Sequence, residues 1–279
     1  MKKLSQKNIP DGWQLIKLGG YCEITAGGTP LTTRQDYWGG SIPWMNSGDL
    51  KKKIINEIEG RITKLGLDSS SAKIIPINSV LIGLAGQGKT RGTVAINKIE
   101  LSTNQSVAAF IPNSSIDYRF LFYDLKRRYS ELRQMSAGDG GRGGLNLQIL
   151  KAIKIKLPPI LEQKRIVAVL ETWDLYLEKL AQKIESKKNI KKGLMQQLLT
   201  GKKRLEGFKE KWKTVKTGMM GKVITGNTPP MKDKENYGGE YCWATADDFN
   251  SKYIKDTKIK LSDSGKNLSR WLPKGSLLI

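Results

Sequence analysis

From Leu161 to Leu199 one apolar stripe governs what this chain can become. Ile166, Leu170, Trp173, Leu177, Leu180 and Ile184 recur at steps of four and three, the a/d seam of a coiled coil. The register passes through Lys187 and Lys191, returns at Leu194 and Leu198, and stops at Thr200-Gly201, where a glycine suits a helix C-cap. An unbroken helix there would be about 55–60 Å long at 1.5 Å per residue. A helix of that length cannot bury its seam against itself, and no second stretch in the sequence supplies a mate. The stripe therefore reads as a spacer arm awaiting a partner helix. The competing reading, a core helix of a globular domain, fits the length and the heptad register less well.

The 279 residues allow one large or two medium domains. Lys plus Arg outnumber Asp plus Glu by 48 to 26, a formal charge of +22. That balance points to a polyanion, with nucleic acid ahead of an anionic membrane surface. No apolar run approaches the ~18 residues needed to span a bilayer, and Met1 to Trp13 lacks the apolar core of a signal peptide; the expected location is the cytoplasm. Cys22 and Cys242 are far apart in unrelated contexts, so neither a disulfide framework nor a zinc site is indicated. Histidine is absent, which removes Ser-His and Cys-His nucleophilic pairs and most catalytic zinc sites.

Residues 1–157 mix short apolar runs with turn signals, an α+β pattern. Ser79-Val80-Leu81-Ile82, Thr93-Val94-Ala95-Ile96 and Val107-Ala108-Ala109-Phe110-Ile111-Pro112 predict strands. The spacing of Leu121, Phe122, Leu125, Tyr129 and Leu132 predicts one amphipathic helix from Tyr118 to Met135. A glycine-rich loop, Gly138 to Gly144, follows. Residues 158–204 form the arm. From 205 to 279 the sequence begins again: a shift of 199 takes Trp13 to Trp212, Gly27 to Gly226, Thr29-Pro30 to Thr228-Pro229, Gly39-Gly40 to Gly238-Gly239, Trp44 to Trp243 and Asp49 to Asp248. So many glycine, tryptophan and proline coincidences at one offset make a repeat. Its second copy reaches Ile279, the counterpart of Ile82 after a two-residue slip, which reads as the opening of a second, similar domain lacking half its core.

Gly83-Leu84-Ala85-Gly86-Gln87-Gly88-Lys89-Thr90 fits the phosphate-loop pattern and follows an apolar run. A phosphate loop needs a helix after it, whereas Arg91-Gly92-Thr93-Val94-Ala95-Ile96 favours a strand. The stretch is better read as a hairpin tip, and a phosphate-loop NTPase as a weak alternative. Gln87, Lys89, Thr90 and Arg91 are residue types that reach phosphates and base edges from such a tip, set against an ordinary solvated turn. Asn46, Ser47, Asn104, Gln105 and Arg142 are comparable DNA-contact candidates. Trp38, Trp44, Trp243 and Trp271 are expected in the core rather than as base-stacking platforms. Lys187, Lys188, Lys191, Lys192, Lys202, Lys203 and Arg204 form a basic run that reads as a solvated face, able to neutralise phosphate beside DNA. No catalytic constellation emerges. Glu162-Gln163-Lys164 has nuclease-like E-x-K spacing but lies at a helix start without an upstream Pro-Asp pair, and reads as charge at the helix N-terminus.

Pro10-Asp11-Gly12-Trp13, Gly27-Gly28-Thr29-Pro30, Tyr37-Trp38-Gly39-Gly40 and Ile42-Pro43-Trp44 resemble the opening of a target recognition domain in the specificity subunits of type I restriction-modification systems. Leu157-Pro158-Pro159-Ile160-Leu161-Glu162-Gln163 and Lys191-Lys192-Gly193-Leu194-Met195-Gln196-Gln197-Leu198-Leu199-Thr200-Gly201-Lys202 look like that family's central helix. The resemblance implies a non-catalytic reader of double-stranded DNA, in which each recognition domain reads half of a split site and paired helices set the spacing. It implies partners that carry the rest: methyltransferase subunits with S-adenosylmethionine for adenine N6 methylation, and a restriction motor subunit with ATP and magnesium. No cofactor is expected on this chain itself. A second copy of the chain, antiparallel, is one candidate for the seam's mate; a longer protein of which this is a fragment is the other. A coiled-coil scaffold that binds DNA without reading sequence is the remaining alternative.

Overall fold

The computed structural model describes residues 9–86, 90–135 and 144–279. It divides into two compact units, one up to Ile190 and one from Lys191 to Ile279.

In chain order the first unit contains β1 (Gln14–Lys17), β2 (Cys22–Ala26), β3 (Trp38–Met45), β4 (Ile54–Ile55), β5 (Arg61–Ile62), α1 (Lys64–Asp68), β6 (Val80–Gly83), β7 (Val94–Asn97), β8 (Ser102–Thr103) and β9 (Val107–Pro112). It continues through α2 (Tyr118–Arg127), α3 (Tyr129–Met135), α4 (Leu147–Ala152), β10 (Lys154–Leu157) and the opening of α5 (Ile160–Leu198). Five strands form one sheet in the order β2-β9-β6-β7-β4, antiparallel except for the β4·β7 pair. A smaller sheet, β5-β3-β8, pairs β3 parallel to β8. A ribbon of β1 with β10 brings the chain back to the root of α5.

The strands expected at 79–82, 93–96 and 107–112 are β6, β7 and β9, the centre of the large sheet. Their residues are apolar at nearly every position because both faces are covered; the exception, buried Asn97 at the end of β7, spends its amide on Ser79, Pro76 and Ile99. Val80, Ile82, Val94, Ile96 and Phe110 pack under Leu121, Leu125, Leu150 and Val167 from the helices. Leu81, Ala95, Val107 and Ala109 pack on the other face against Met45, Leu50, Ile55, Ile75 and Leu101.

The expected single helix from Tyr118 to Met135 is two. The break falls at Arg128, whose guanidinium is drawn inward to Asp124 at 2.8 Å and donates to the Lys154 carbonyl at 3.0 Å. Amphipathic spacing survives such a break, so the periodicity did not expose it.

The arm helix is as expected: α5 runs 39 residues, about 58 Å at 1.5 Å per residue, and Gly201 closes it at φ +71°. Its opening turns belong to the first unit, with Gln163 and Val167 buried and Ile166 packed on the domain core. The seam open to a partner therefore starts at Leu170. From there Trp173 is 61% exposed and Leu177 58%.

The second unit holds the end of α5, β11 (Tyr237–Trp243), β12 (Ile259–Leu261) and α6 (Asp263–Asn267). It repeats the frame of the β3–β5–α1 module. Trp38 and Ile42 both pair with Ile62, as Tyr237 and Tyr241 both pair with Leu261 across the same register shift. The Thr63 hydroxyl donates to the Asp36 carbonyl and caps α1; Ser262 does the same for the Glu235 carbonyl and α6. Leu261 is its one buried hydrophobic residue among those described. Phe249 is half exposed where its counterpart Leu50 is fully buried.

The two cysteines differ sharply. Cys22 on β2 is buried and burial pushes its thiol up to about 12, while Cys242 is exposed. Native protein at pH 8 should therefore give one fast-reacting thiol with Ellman's reagent and a second only in denaturant. Two fast thiols would contradict the burial of β2.

Candidate nucleic-acid interface

The parallel alignment of β3 with β8 sets Trp44 beside Ser102 and Met45 beside Thr103. Both strands therefore end at one edge, and Asn46-Ser47 and Asn104-Gln105 emerge side by side. The Asn104 N–H continues the ladder to the Met45 carbonyl at 2.9 Å. The Asn104 Oδ1 then accepts from the Ser106 N–H at 3.1 Å, an Asx turn that reverses the chain into β9.

Two more segments fold onto that turn. Gly27 N–H reaches the Val107 carbonyl at 3.2 Å, and Gly28 N–H the Thr103 carbonyl at 2.8 Å. A Cβ on Gly27 would run into the carbonyl and hydroxyl of Thr103, which is why glycine is required there. Thr29 follows and its hydroxyl donates to Gln105 Oε1. On the other side Leu84 N–H reaches the Ser106 carbonyl at 2.8 Å, and Leu145 N–H the Leu84 carbonyl at 3.0 Å.

The β6–β7 turn is a hairpin. Gly92 N–H returns to the Gly83 carbonyl at 2.9 Å, and Thr90 Oγ1 donates to the Ala85 carbonyl at 3.2 Å. A strand, β7, follows it, so the helix that a phosphate loop requires is missing and the NTPase reading fails.

Of the expected DNA-contact residues, Asn46, Ser47, Asn104 and Gln105 thus gather around the β8–β9 turn, while Thr90 lies in the β6–β7 hairpin against Ala85. Gln87, Lys89 and Arg142 lie outside the described residues. Arg91 is a correction: it is buried, not displayed. The returning limb of the hairpin lies on α3, where the Arg91 carbonyl accepts from Arg133 Nη1 at 3.4 Å and Gly92 sits against Leu132 and Tyr129.

The gathered side chains are uncharged and part of each is committed to structure. Asn46 caps the 3-10 turn Ser47–Lys52: its Oδ1 accepts from Gly48 N–H at 2.7 Å while Asp49 accepts from its backbone N–H. Asn46 and Asn104 both keep Nδ2 without a partner among the described residues, and Gln105 keeps Nε2. These are donors suited to the N7, O6 and O4 acceptors of base edges.

Sequence reasoning missed two features. The capped 3-10 turn carries Lys51 and Lys52, with Lys53 next, and all three are exposed directly behind Asn46-Ser47; the run was legible, but its position beside the edge was not. The tryptophans expected in the core are not there. Trp38 and Trp44 are half-buried, pack edge to face at 5.1 Å, and pin the loop below: Trp38 Nε1 donates to Leu31 and Trp44 Nε1 to Gly28. Trp243 repeats the device on Asn227, paired with Tyr237. Trp271 is exposed, 5.8 Å edge to face from Tyr241.

Among the described residues no group of three metal-type side chains gathers, and no helix is long and apolar enough to cross a membrane.

An α+β domain with a loop edge of this kind, rooted on a long exposed helix, is the architecture of a specificity subunit. Residues 10–192 match the type I restriction modification DNA specificity domain, and the chain belongs to that family. It is 32% identical over 174 residues to the type I restriction enzyme MjaIX specificity subunit of Methanocaldococcus jannaschii, covering 61% of this chain and 40% of that one. It is 30% identical over 151 residues to the EcoR124I/EcoR124II specificity subunit of Escherichia coli, covering 53% and 37%. The crystal structure of the HsdS subunit from Thermoanaerobacter tengcongensis superposes with a TM-score of 0.50 at 24% identity, over 63% of this chain and 40% of that one; at that identity the likeness is one of fold. The matches span about two fifths of the length of each relative.

Asn46 has a structural duty that can be measured apart from any ligand. Asn46→Ala should lower stability by about 1 kcal/mol in urea denaturation followed by tryptophan fluorescence. No loss would mean that the capping box does not hold the edge.

Proposed function

We propose that the first unit reads one half of a split DNA site from the edge built on the β8–β9 turn, and that the chain does no chemistry itself. One observation carries this reading: neutral hydrogen-bonding side chains converge at a single edge beside the exposed Lys51, Lys52 and Lys53, in a chain of charge +22. Cationic residues hold phosphates and fix register, while neutral amides and hydroxyls discriminate bases. A scaffold that binds DNA indifferently needs the lysines but has no use for the edge.

Methylation of adenine N6 and cleavage are assigned to partners working in the cytoplasm. A methyltransferase subunit brings S-adenosylmethionine, and a motor subunit brings ATP and magnesium. The seam of α5 is the proposed docking surface. Support comes from Leu170, Trp173, Leu177, Leu180, Ile184, Leu194 and Leu198, all partly or largely exposed. An antiparallel second copy would also suit it. Four of the five acidic residues of α5, Glu162, Glu171, Asp174 and Glu178, lie in its first half, and Lys183, Lys187, Lys188, Lys191 and Lys192 in its second.

Site selection from random duplexes, followed by competition gel shifts, tests the reading. Asn104→Ala and Gln105→Ala should each lose about 1–3 kcal/mol of preference for the selected site over a mismatched one, with non-specific binding unchanged. Replacing Lys51, Lys52 and Lys53 by alanine should weaken all duplexes alike and flatten the dependence of log affinity on log salt, by up to about 0.9 for each phosphate no longer neutralised. If the amide variants weaken every duplex equally, the indifferent scaffold is correct.

For the seam, light scattering of the chain alone and with the modification subunit should show assembly. Trp173→Glu with Leu177→Glu should abolish it while half-site binding persists. Assembly that survives those charges would place the docking surface elsewhere.

A further inference from the structure

We infer that Gln163 is a positioning residue: its buried carboxamide fixes the direction in which α5 leaves the first unit. What this means for DNA spacing rests on the function proposed above, but the geometry does not.

Four segments meet at this side chain. Gln163 is fully buried. Its Oε1 accepts from the Asp117 N–H at 2.8 Å, and its Nε2 donates to the Ser115 carbonyl at 2.9 Å and the Pro158 carbonyl at 2.8 Å. Both amide donors are used. The turn after β9, the N-cap of α2, the end of the β10 segment and the first turn of α5 are thereby tied at one planar group. Hydrogen bonds weaken steeply when misaligned, so three of them on one plane set an orientation. An apolar contact in the same place would set only a distance.

A ring of polar contacts lies outside that point. Arg119 pairs with Asp117 at 2.8 Å and reaches Glu171 at 3.4 Å. Tyr123 donates its hydroxyl to Asp174 at 2.8 Å, and Trp13 Nε1 donates to Glu162 at 3.2 Å. These contacts span the stretch from Glu162 to Asp174. From Leu175 to Ile190 every residue of α5 is exposed.

The helix is therefore a lever held at its root. Ile190 lies about 24 Å beyond Asp174 at 1.5 Å per residue. A tilt of about 10° would carry it about 4 Å sideways, close to one base-pair step of about 3.4 Å. An arm that sets the spacing between half-sites needs a root stiffer than that. The seam alone does not supply it, because side chains spaced along the helix facing a partner do not fix its angle to the domain behind it.

Double electron–electron resonance on the full chain tests the assignment without DNA, so it stands or falls apart from the reading of the edge. Spin labels at Glu23→Cys and Lys187→Cys, both exposed positions, are placed in a Cys242→Ser background, where buried Cys22 stays unlabelled. The parent should give one narrow distance distribution. Gln163→Leu keeps the volume and removes the bonds, and should broaden or shift the distribution by about 4 Å with the far-ultraviolet helical signal unchanged. A purely structural glutamine would lower the melting temperature and leave the distribution alone, and that result overturns the proposal. Should Gln163→Leu fail to fold, Gln163→Glu keeps an acceptor for the Asp117 N–H and loses the bonds donated to the Ser115 and Pro158 carbonyls; broadening supports the assignment, and an unchanged distribution overturns it.

Discussion

The structure depends on the need of the backbone to satisfy itself where β3 and β8 end together. A buried peptide group left without a partner costs about as much as a lost hydrogen bond, and β8 is only two residues long. Its carbonyls and those just after it are taken by Gly28, Val107 and Leu84, each from a different segment. The glycine pair can come that close because neither residue carries a side chain. The edge is thus built from main chain. The tips of Asn46, Asn104 and Gln105 keep donors that find no partner among the described residues, and such donors on a fixed frame are the raw material of recognition.

The repeat separates frame from display. At an offset of 199 the tryptophan that pins the loop, the hydroxyl that caps the short helix and the acidic residue that completes the capping box all recur: Trp44 and Trp243, Thr63 and Ser262, Asp49 and Asp248. What changes is what the frame presents. Asn46-Ser47 becomes Thr245-Ala246, and Gly28 becomes Asn227. Asp248 still accepts from the Thr245 N–H, and the Thr245 hydroxyl donates to the same carboxylate, so the turn is kept while an amide is exchanged for a hydroxyl.

Periodicity made the large features legible. The heptad seam, the central strands and the repeat were all visible because each is a regular spacing of apolar or special residues, and regular spacing survives in a one-dimensional string. What was not visible has a common cause: polar side chains whose partners are distant in sequence. Gln163 sits between Glu162 and Lys164 and reads as part of a charged helix start, yet its bonds lie 46 and 48 residues away at Asp117 and Ser115. Arg91 looks like a phosphate contact until the hairpin limb lies down on α3. Arg128 breaks a helix that its neighbours' spacing would continue. Tryptophan is apolar enough to suggest the core, but its one N–H decides where it goes, and here it holds loops from a half-buried position.

The charge of the chain and its candidate reading edge are carried by different residues, and this has a physical consequence. Long-range attraction acts on any polyanion and is screened within about 8–10 Å at ordinary ionic strength, so it can gather DNA but cannot choose among sequences. Neutral amides have no reach, so they choose only once the duplex is held. Lys51, Lys52 and Lys53 stand on the turn that Asn46 caps, so on the proposed reading one capping box would both orient the amide and set where the phosphates lie. Discrimination then depends on register, because a base edge displaced by a fraction of a base-pair step no longer meets the donor. The frame around the β8–β9 turn supplies that register within the domain. The buried amide of Gln163 extends it to the root of the arm, where an error of angle would grow with distance along α5.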